Sequence, residues 1–210
     1  MNARKIILTL TVIALPLLAG SQCAFFFSSG GGSDDEDEKE GLVVVVTTGQ
    51  LTGDPVKGVY YKSGSIEGVT GSNGEFRYEQ GKTISFSIGD IPLGREISGK
   101  AEVAPSDLLA GDSDDTTAII NMTRLLWSLD SEPGDGAITI PPEVRQAAVR
   151  SNGQVSSAIE FLDFADDPAF ANAASQLVAV LTRDYPFTAV LVDAETARDR
   201  LAKSTKTIKK

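Results

Sequence analysis

Residues 71–88, GSNGEFRYEQGKTISFSI, restrict the possible folds more than any other stretch of the chain. Ile84, Phe86 and Ile88 alternate with Thr83, Ser85 and Ser87, and Phe76 and Tyr78 flank Arg77. A period of two gives an extended chain one apolar face and one polar face, whereas a helix would scatter the same residues round its axis. Just ahead stands Asn73-Gly74, a pair favoured in type I′ turns because both central residues need positive φ. The runs LVVVVTT, VKGVYYK, IEGVTG and SGKAEV continue the same glycine-punctuated, β-branched style. Short strands at this spacing predict a small antiparallel β-sandwich over residues 42–104. Tyr60 and Tyr61 are neighbours on one such strand and must point to opposite faces. With Phe76, Tyr78 and Phe86 they are read as core packing, or as a sugar-stacking platform where rings reach solvent.

The pattern changes near residue 105. TTAIINMTRLLWSL (116–129) places Ile119, Met122, Leu126 and Leu129 at helical spacing, with Ile120 and Trp127 beside them and Asp114 or Asp115 as cap. Pro141 and Pro142 suit the start of a helix in PPEVRQAAVR, because the first helical amides have no intrahelical partner. DPAFANAASQLVAVLT (167–182) opens on an aspartate cap and a proline, with Phe170, Ala174, Leu177 and Leu181 along one face. LVDAETARDRLAKS (191–204) starts a helix capped by Asp193, with Thr196 at the third helical position. The fold class expected is therefore α+β: the β-sandwich of 42–104 followed by a packed α-helical region over 105–203, with 204–210 as a basic disordered tail.

The amino end reads as an address. Arg4 and Lys5 precede an apolar run, residues 6–19, that is shorter than a bilayer span and broken by Pro16, so residues 1–22 form a secretory signal peptide. Two cleavages compete. Cutting after the small residues Ala19 and Ser21 leaves a soluble periplasmic or secreted protein that starts near Gln22, with a free thiol. In the other, LLAGSQC resembles a bacterial lipobox and Cys23, the chain's single cysteine, becomes the lipidated first residue. Acyl chains of the palmitate kind contribute about 0.8 kcal/mol per buried CH₂, and several together anchor stably. The tether of residues 23–41, through SSGGGS and DDEDEKE, is too polar and charged to fold and resembles a lipoprotein stalk. Phe25, Phe26 and Phe27 are placed to meet a membrane interface. Ala24 stands where aspartate would signal inner-membrane retention, so the resemblance implies the outer membrane.

Residues 56–94, VKGVYYKSGSIEGVTGSNGEFRYEQGKTISFSIGDIPLG, resemble the amino-terminal module of uncharacterised bacterial surface lipoproteins and adhesin-like proteins. They are more distantly similar to carboxypeptidase regulatory-like, transthyretin-type sandwiches, which place an aspartate after the turn threonine where Gly71 and Ser72 follow Thr70 here. The lipoprotein resemblance continues in RLLWSLDSEPGDGAITIP and the last helix. It implies an envelope location, partners met at the cell surface, and no particular chemistry.

Charge and composition exclude more than they assign. The full chain carries −10, and loss of Arg4 and Lys5 with the signal makes the mature chain two units more negative. An acidic surface repels phosphate backbones, so nucleic acid is not an expected partner. There is no histidine, which removes the commonest general base and zinc ligand, and no SxxK motif or phosphate-cradling glycine loop replaces it. The expectation is a non-enzyme without a resident cofactor, acting as a surface binding or structural module; the alternative is a calcium-stabilised adhesion or carbohydrate-binding module. For that alternative Asp130, Glu132 and Asp135 in LDSEPGDGAITIP offer closely spaced oxygens around Gly136, as a calcium loop needs. The competing reading is a helix-to-strand turn whose acids cap and solubilise. GDSDDTT (111–117) reads as helix capping and DFADDP (163–168) as an interhelical loop.

Overall fold

The computed structural model describes residues 44–109 and 116–207. The signal, Cys23, the tether, Asp114, Asp115 and the last three residues lie outside that range. Nine strands precede the helices: β1 (Val46–Leu51), β2 (Val56–Lys57), β3 (Tyr60–Ser63), β4 (Ile66–Val69), β5 (Glu75–Glu79), β6 (Thr83–Ile88), β7 (Ile91–Pro92), β8 (Ile97–Ser98) and β9 (Glu102–Val103). Eight of them form one sheet in the order β5-β1-β9 and another in the order β4-β3-β6-β7, with β8 also on β6, while β2 pairs with a strand from the helical half. The fold is α+β, a sandwich-like arrangement of sheets followed by helices.

The period-two reading holds residue by residue. In β6 Ile84, Phe86 and Ile88 are buried and Thr83 is exposed; in β5 Phe76 and Tyr78 are buried around exposed Arg77. Phe76 is the hub between the sheets, its ring centroid 6.2 Å from Tyr61, 6.1 Å from Tyr78 and 5.1 Å, edge-on, from Phe86. Tyr61 is therefore core and Tyr60 lies on the outer face, 39% exposed.

The asparagine-glycine turn differs from expectation. Asn73 keeps negative φ and only Gly74, at +76°, is positive, so the turn is not type I′. Gly74 N–H donates to the Gly71 carbonyl at 3.0 Å, closing a turn with glycine at its last position. The Asn73 N–H and side-chain amide both donate to the Glu75 carboxylate, at 2.9 and 2.7 Å. These bonds hold Asn73 out of the left-handed region, and the turn carries the chain from β4 in one sheet to β5 in the other.

Thr70, just before that turn, is 3% exposed and clasps the preceding loop. Its Oγ1 accepts from Val59 N–H at 3.0 Å and donates to the Val56 carbonyl at 2.7 Å. Thr70→Val keeps the shape but strands both groups, and is expected to cost about 1–3 kcal/mol. A lower urea midpoint at unchanged slope is the signature; an unchanged midpoint would mean that water replaces the hydroxyl.

The helical half comprises α1 (Pro105–Leu108), α2 (Thr116–Ser128), strand β10 (Ile138–Thr139), α3 (Pro142–Ala147), α4 (Ser156–Glu160), α5 (Asp167–Leu181) and α6 (Ala194–Thr207). Pro142 opens α3 as expected, and Phe170, Ala174, Leu177 and Leu181 are all buried on α5. The α5 cap is Asp166, which accepts from Ala169 N–H at 3.1 Å, with Asp167 already inside the helix. At α6, Asp193 accepts from the Thr196 N–H at 2.8 Å and its hydroxyl at 2.7 Å, and these two bonds hold the carboxyl below its ordinary range.

One buried cluster runs through both halves, from Phe76 and Ile84 to Leu125, Phe170 and Leu177. The chain stitches it together. β10 lies parallel to β2, pairing Ile138 with Val56 and Thr139 with Lys57. Asp90 N–H donates to the Ala148 carbonyl at 2.7 Å, and Arg95 N–H to the Leu108 carbonyl at 2.6 Å.

Candidate functional site

Where α2 leans on the sheets, the side chains leave a cavity of about 240 Å³. Leu51 at the end of β1 and Val56 of β2 line it together with Met122, Leu126 and Trp127 of α2, and Asp54 stands in the same lining. The chain builds this gap because β1 ends at Leu51 and turns away through Thr52, Gly53 and Asp54, while short α1 stops at Leu108. Neither element is long enough to cover the face that α2 presents.

A network around Arg124 fixes that face. Arg124 is only 8% exposed, and its Nε donates to the Val192 carbonyl at 2.8 Å. One terminal nitrogen donates to Asn121 Oδ1 and Asp167 Oδ1, both at 2.9 Å, and the guanidinium lies 5.1 Å from the Phe170 ring centroid. Ser128 Oγ accepts from Val192 N–H at 2.9 Å. One arginine thus joins α2, the start of α5 and the strap leading into α6. That strap delivers α6, whose Leu201 lines the cavity and whose Arg200 guanidinium sits 4.0 Å from the Trp127 ring centroid. The Trp127 indole Nε1 is buried without a hydrogen-bond acceptor.

The residues singled out as oxygen ligands lie elsewhere. Asp130, 2% exposed, accepts through Oδ1 from Glu132 N–H at 3.1 Å and Thr139 N–H at 2.9 Å, which closes the turn between α2 and β10. Its Oδ2 is buried without a partner. Glu132 and Asp135 are exposed, and Asp135 Oδ1 accepts from Ala137 N–H at 2.9 Å. Among the described residues, no three His, Cys, Asp or Glu side chains group closely enough to hold a metal ion. Beside Asp130 the Tyr185 hydroxyl donates to the Leu129 carbonyl at 2.6 Å. Burial, then the negative charges of Asp130 and Glu143, push its ionisation well above the ordinary tyrosine range.

Of the five rings weighed as a sugar platform, Tyr61, Phe76, Tyr78 and Phe86 are buried. Tyr60 alone reaches solvent, and the Arg145 guanidinium lies 5.3 Å from its centroid. The cavity itself has no local signature in sequence. Met122 and Leu126 are legible only as one face of a helix, and Leu51, Val56 and Leu93 only as strand residues. That they surround a void depends on tertiary packing.

Part of the chain is similar to two known proteins. Over 91 residues, 43% of its length, it is 33% identical to the protein provisionally named lipoprotein AcfD homolog in Escherichia coli strain K12. Over 91 residues it is 32% identical to the provisionally named lipoprotein YghJ of Escherichia coli O78:H11 strain H10407. The match spans 6% of each relative's length. No protein-family model matches the chain, and no solved structure matches it.

Proposed function

We propose that this chain is a non-catalytic module of the bacterial cell envelope, lipid-anchored through Cys23 and carrying a binding cavity between its sheets and α2. The observation that carries the reading is the 33% identity to a protein named a lipoprotein, which agrees with the signal, lipobox-like LLAGSQC and tether read from this chain's own residues. The absence of histidine from the chain favours binding over catalysis. Among the described residues no helix is long and apolar enough to cross a membrane. In this reading the attachment is through acyl chains on Cys23. The outer membrane is the membrane proposed, with Ala24 after the cysteine.

Fractionation of cells expressing the protein and its Cys23→Ala variant tests this. The parent is expected with the membranes and the variant in the soluble fraction. A variant that stays with the membranes would sink the anchor.

A further inference from the structure

The dipeptide Asn-Gly occurs twice in the chain, at Asn73-Gly74 and at Asn152-Gly153. It has an intrinsic reaction with water. Hydroxide removes the glycine amide proton and the nitrogen attacks the asparagine Cγ; the Cγ–Nδ2 bond breaks, Nδ2 takes a proton from water, and ammonia leaves a cyclic imide. Water then opens the imide at either carbonyl, giving aspartate, or isoaspartate with the main chain routed through the side chain. Glycine favours the attack because it has no Cβ to obstruct it. The two pairs are identical in sequence, so a difference between their rates comes from the fold.

At Asn73-Gly74 both reacting groups are engaged. The Gly74 N–H, the nucleophile, donates to the Gly71 carbonyl at 3.0 Å. The Asn73 carboxamide donates to the Glu75 carboxylate at 2.7 Å, and a carboxylate at that distance opposes the negative charge that builds on Oδ1 during attack. At Asn152-Gly153 the arrangement is reversed. Gly153 is exposed, and among the described residues no group accepts from its N–H. Asn152 Oδ1 accepts from Gln154 N–H at 3.1 Å, a donor already placed where the oxyanion forms. The carboxamide nitrogen donates to a neutral group, the Ala147 carbonyl, at 2.9 Å. The Asn152 main-chain carbonyl accepts from Val155 and Ser156 N–H, both at 3.0 Å, which draws charge out of the Gly153 amide and eases loss of its proton. The Asn73 carbonyl also accepts a bond, from Gln50 Nε2 at 2.8 Å. What separates the pairs is therefore the glycine N–H and the partners of the carboxamide.

We propose that Asn152-Gly153 is the site of spontaneous deamidation in this protein, and that the turn around Glu75 protects Asn73-Gly74. Asn152 links α3 to α4, through the Ala147 carbonyl on one side and the Ser156 amide on the other. Isoaspartate there adds a methylene to the main chain and displaces both bonds. The inference depends on neither the anchor nor the cavity.

The test ages the full-length Cys23→Ala protein at mildly alkaline pH, folded and in guanidinium chloride, and follows the peptide around each asparagine by mass, with fragmentation to separate isoaspartate from aspartate. Unfolded, the two pairs are expected to convert at similar rates. Folded, Asn152 is expected to keep converting and Asn73 to lag it by about tenfold or more, the effect of one hydrogen bond that has to break before attack. Gly153→Ala, whose added Cβ meets no atom within 4 Å, is expected to suppress conversion of Asn152 at an unchanged urea midpoint. Glu75→Ala is expected to speed conversion of Asn73 while the circular dichroism spectrum stays native. Asn152 that converts only when the chain is unfolded would overturn the proposal. So would Asn73 converting as fast as Asn152 in the folded protein, or conversion of Asn152 at the parent rate in Gly153→Ala.

Discussion

Gly89→Ala is expected to destabilise the protein by about 3 kcal/mol or more, lowering the urea midpoint for the whole molecule. Two effects add. Gly89 has φ of +57°, where a side chain carries strain of order 1–3 kcal/mol. A Cβ there would also run into backbone at the end of α3, lying 2.6 Å from the Arg145 carbonyl oxygen and closer still to that of Ala148. These are main-chain atoms and cannot rotate away. Relief requires the β6–β7 turn to draw back from α3, which breaks the 2.7 Å bond from Asp90 N–H to Ala148 and the 2.7 Å bond from Arg150 N–H to the Asp90 carboxylate. Equilibrium urea denaturation measures the effect. A loss below about 1 kcal/mol, less than the usual strain at such a position, would mean that turn and helix do not touch as described.

Phe76→Ala is expected to cost about 3–5 kcal/mol, the usual range for removing a buried phenylalanine. The upper end is expected, because Phe76 is 1% exposed and three other rings lean on it. Tyr61 and Phe86 come from the opposite sheet and cannot both close the gap without moving β3 and β6, whose register is set by Tyr61 opposite Phe86. The near-ultraviolet circular dichroism of the tyrosines should weaken with the stability. Gly89 sits at the joint between the halves and Phe76 deep in the sandwich, yet one core cluster joins them. Each variant is therefore expected to shift a single cooperative transition. Separate transitions for tyrosine and Trp127 signals would contradict that shared core.

What could be read from the sequence was whatever is local. The alternation at Thr83–Ile88, the spacing of Phe170, Ala174, Leu177 and Leu181, and the Asp193–Thr196 cap each sit within one element, and each appears in the fold. What escaped depends on distant partners. The parallel pairings of β1 with β9 and of β2 with β10 join residues about fifty to eighty positions apart and leave no periodic trace. Asn73-Gly74 carries a hairpin signal, but the Glu75 carboxylate takes up the asparagine and the chain crosses between sheets instead. Arg124 carries no local signal of its role; only the arrival of Asp167 and Val192 makes it a buried junction. Asp130 was legible as an oxygen donor, whereas the two amides that occupy its Oδ1 come from the turn it closes. The cavity is the extreme case, since its walls are drawn from both halves of the chain.

The claim that this is an anchored envelope module is tested most directly by the intact mass of the mature protein extracted from membranes. The account predicts a chain that begins at Cys23, heavier than its sequence by covalently attached acyl groups. An unmodified chain that begins near Gln22 would contradict it.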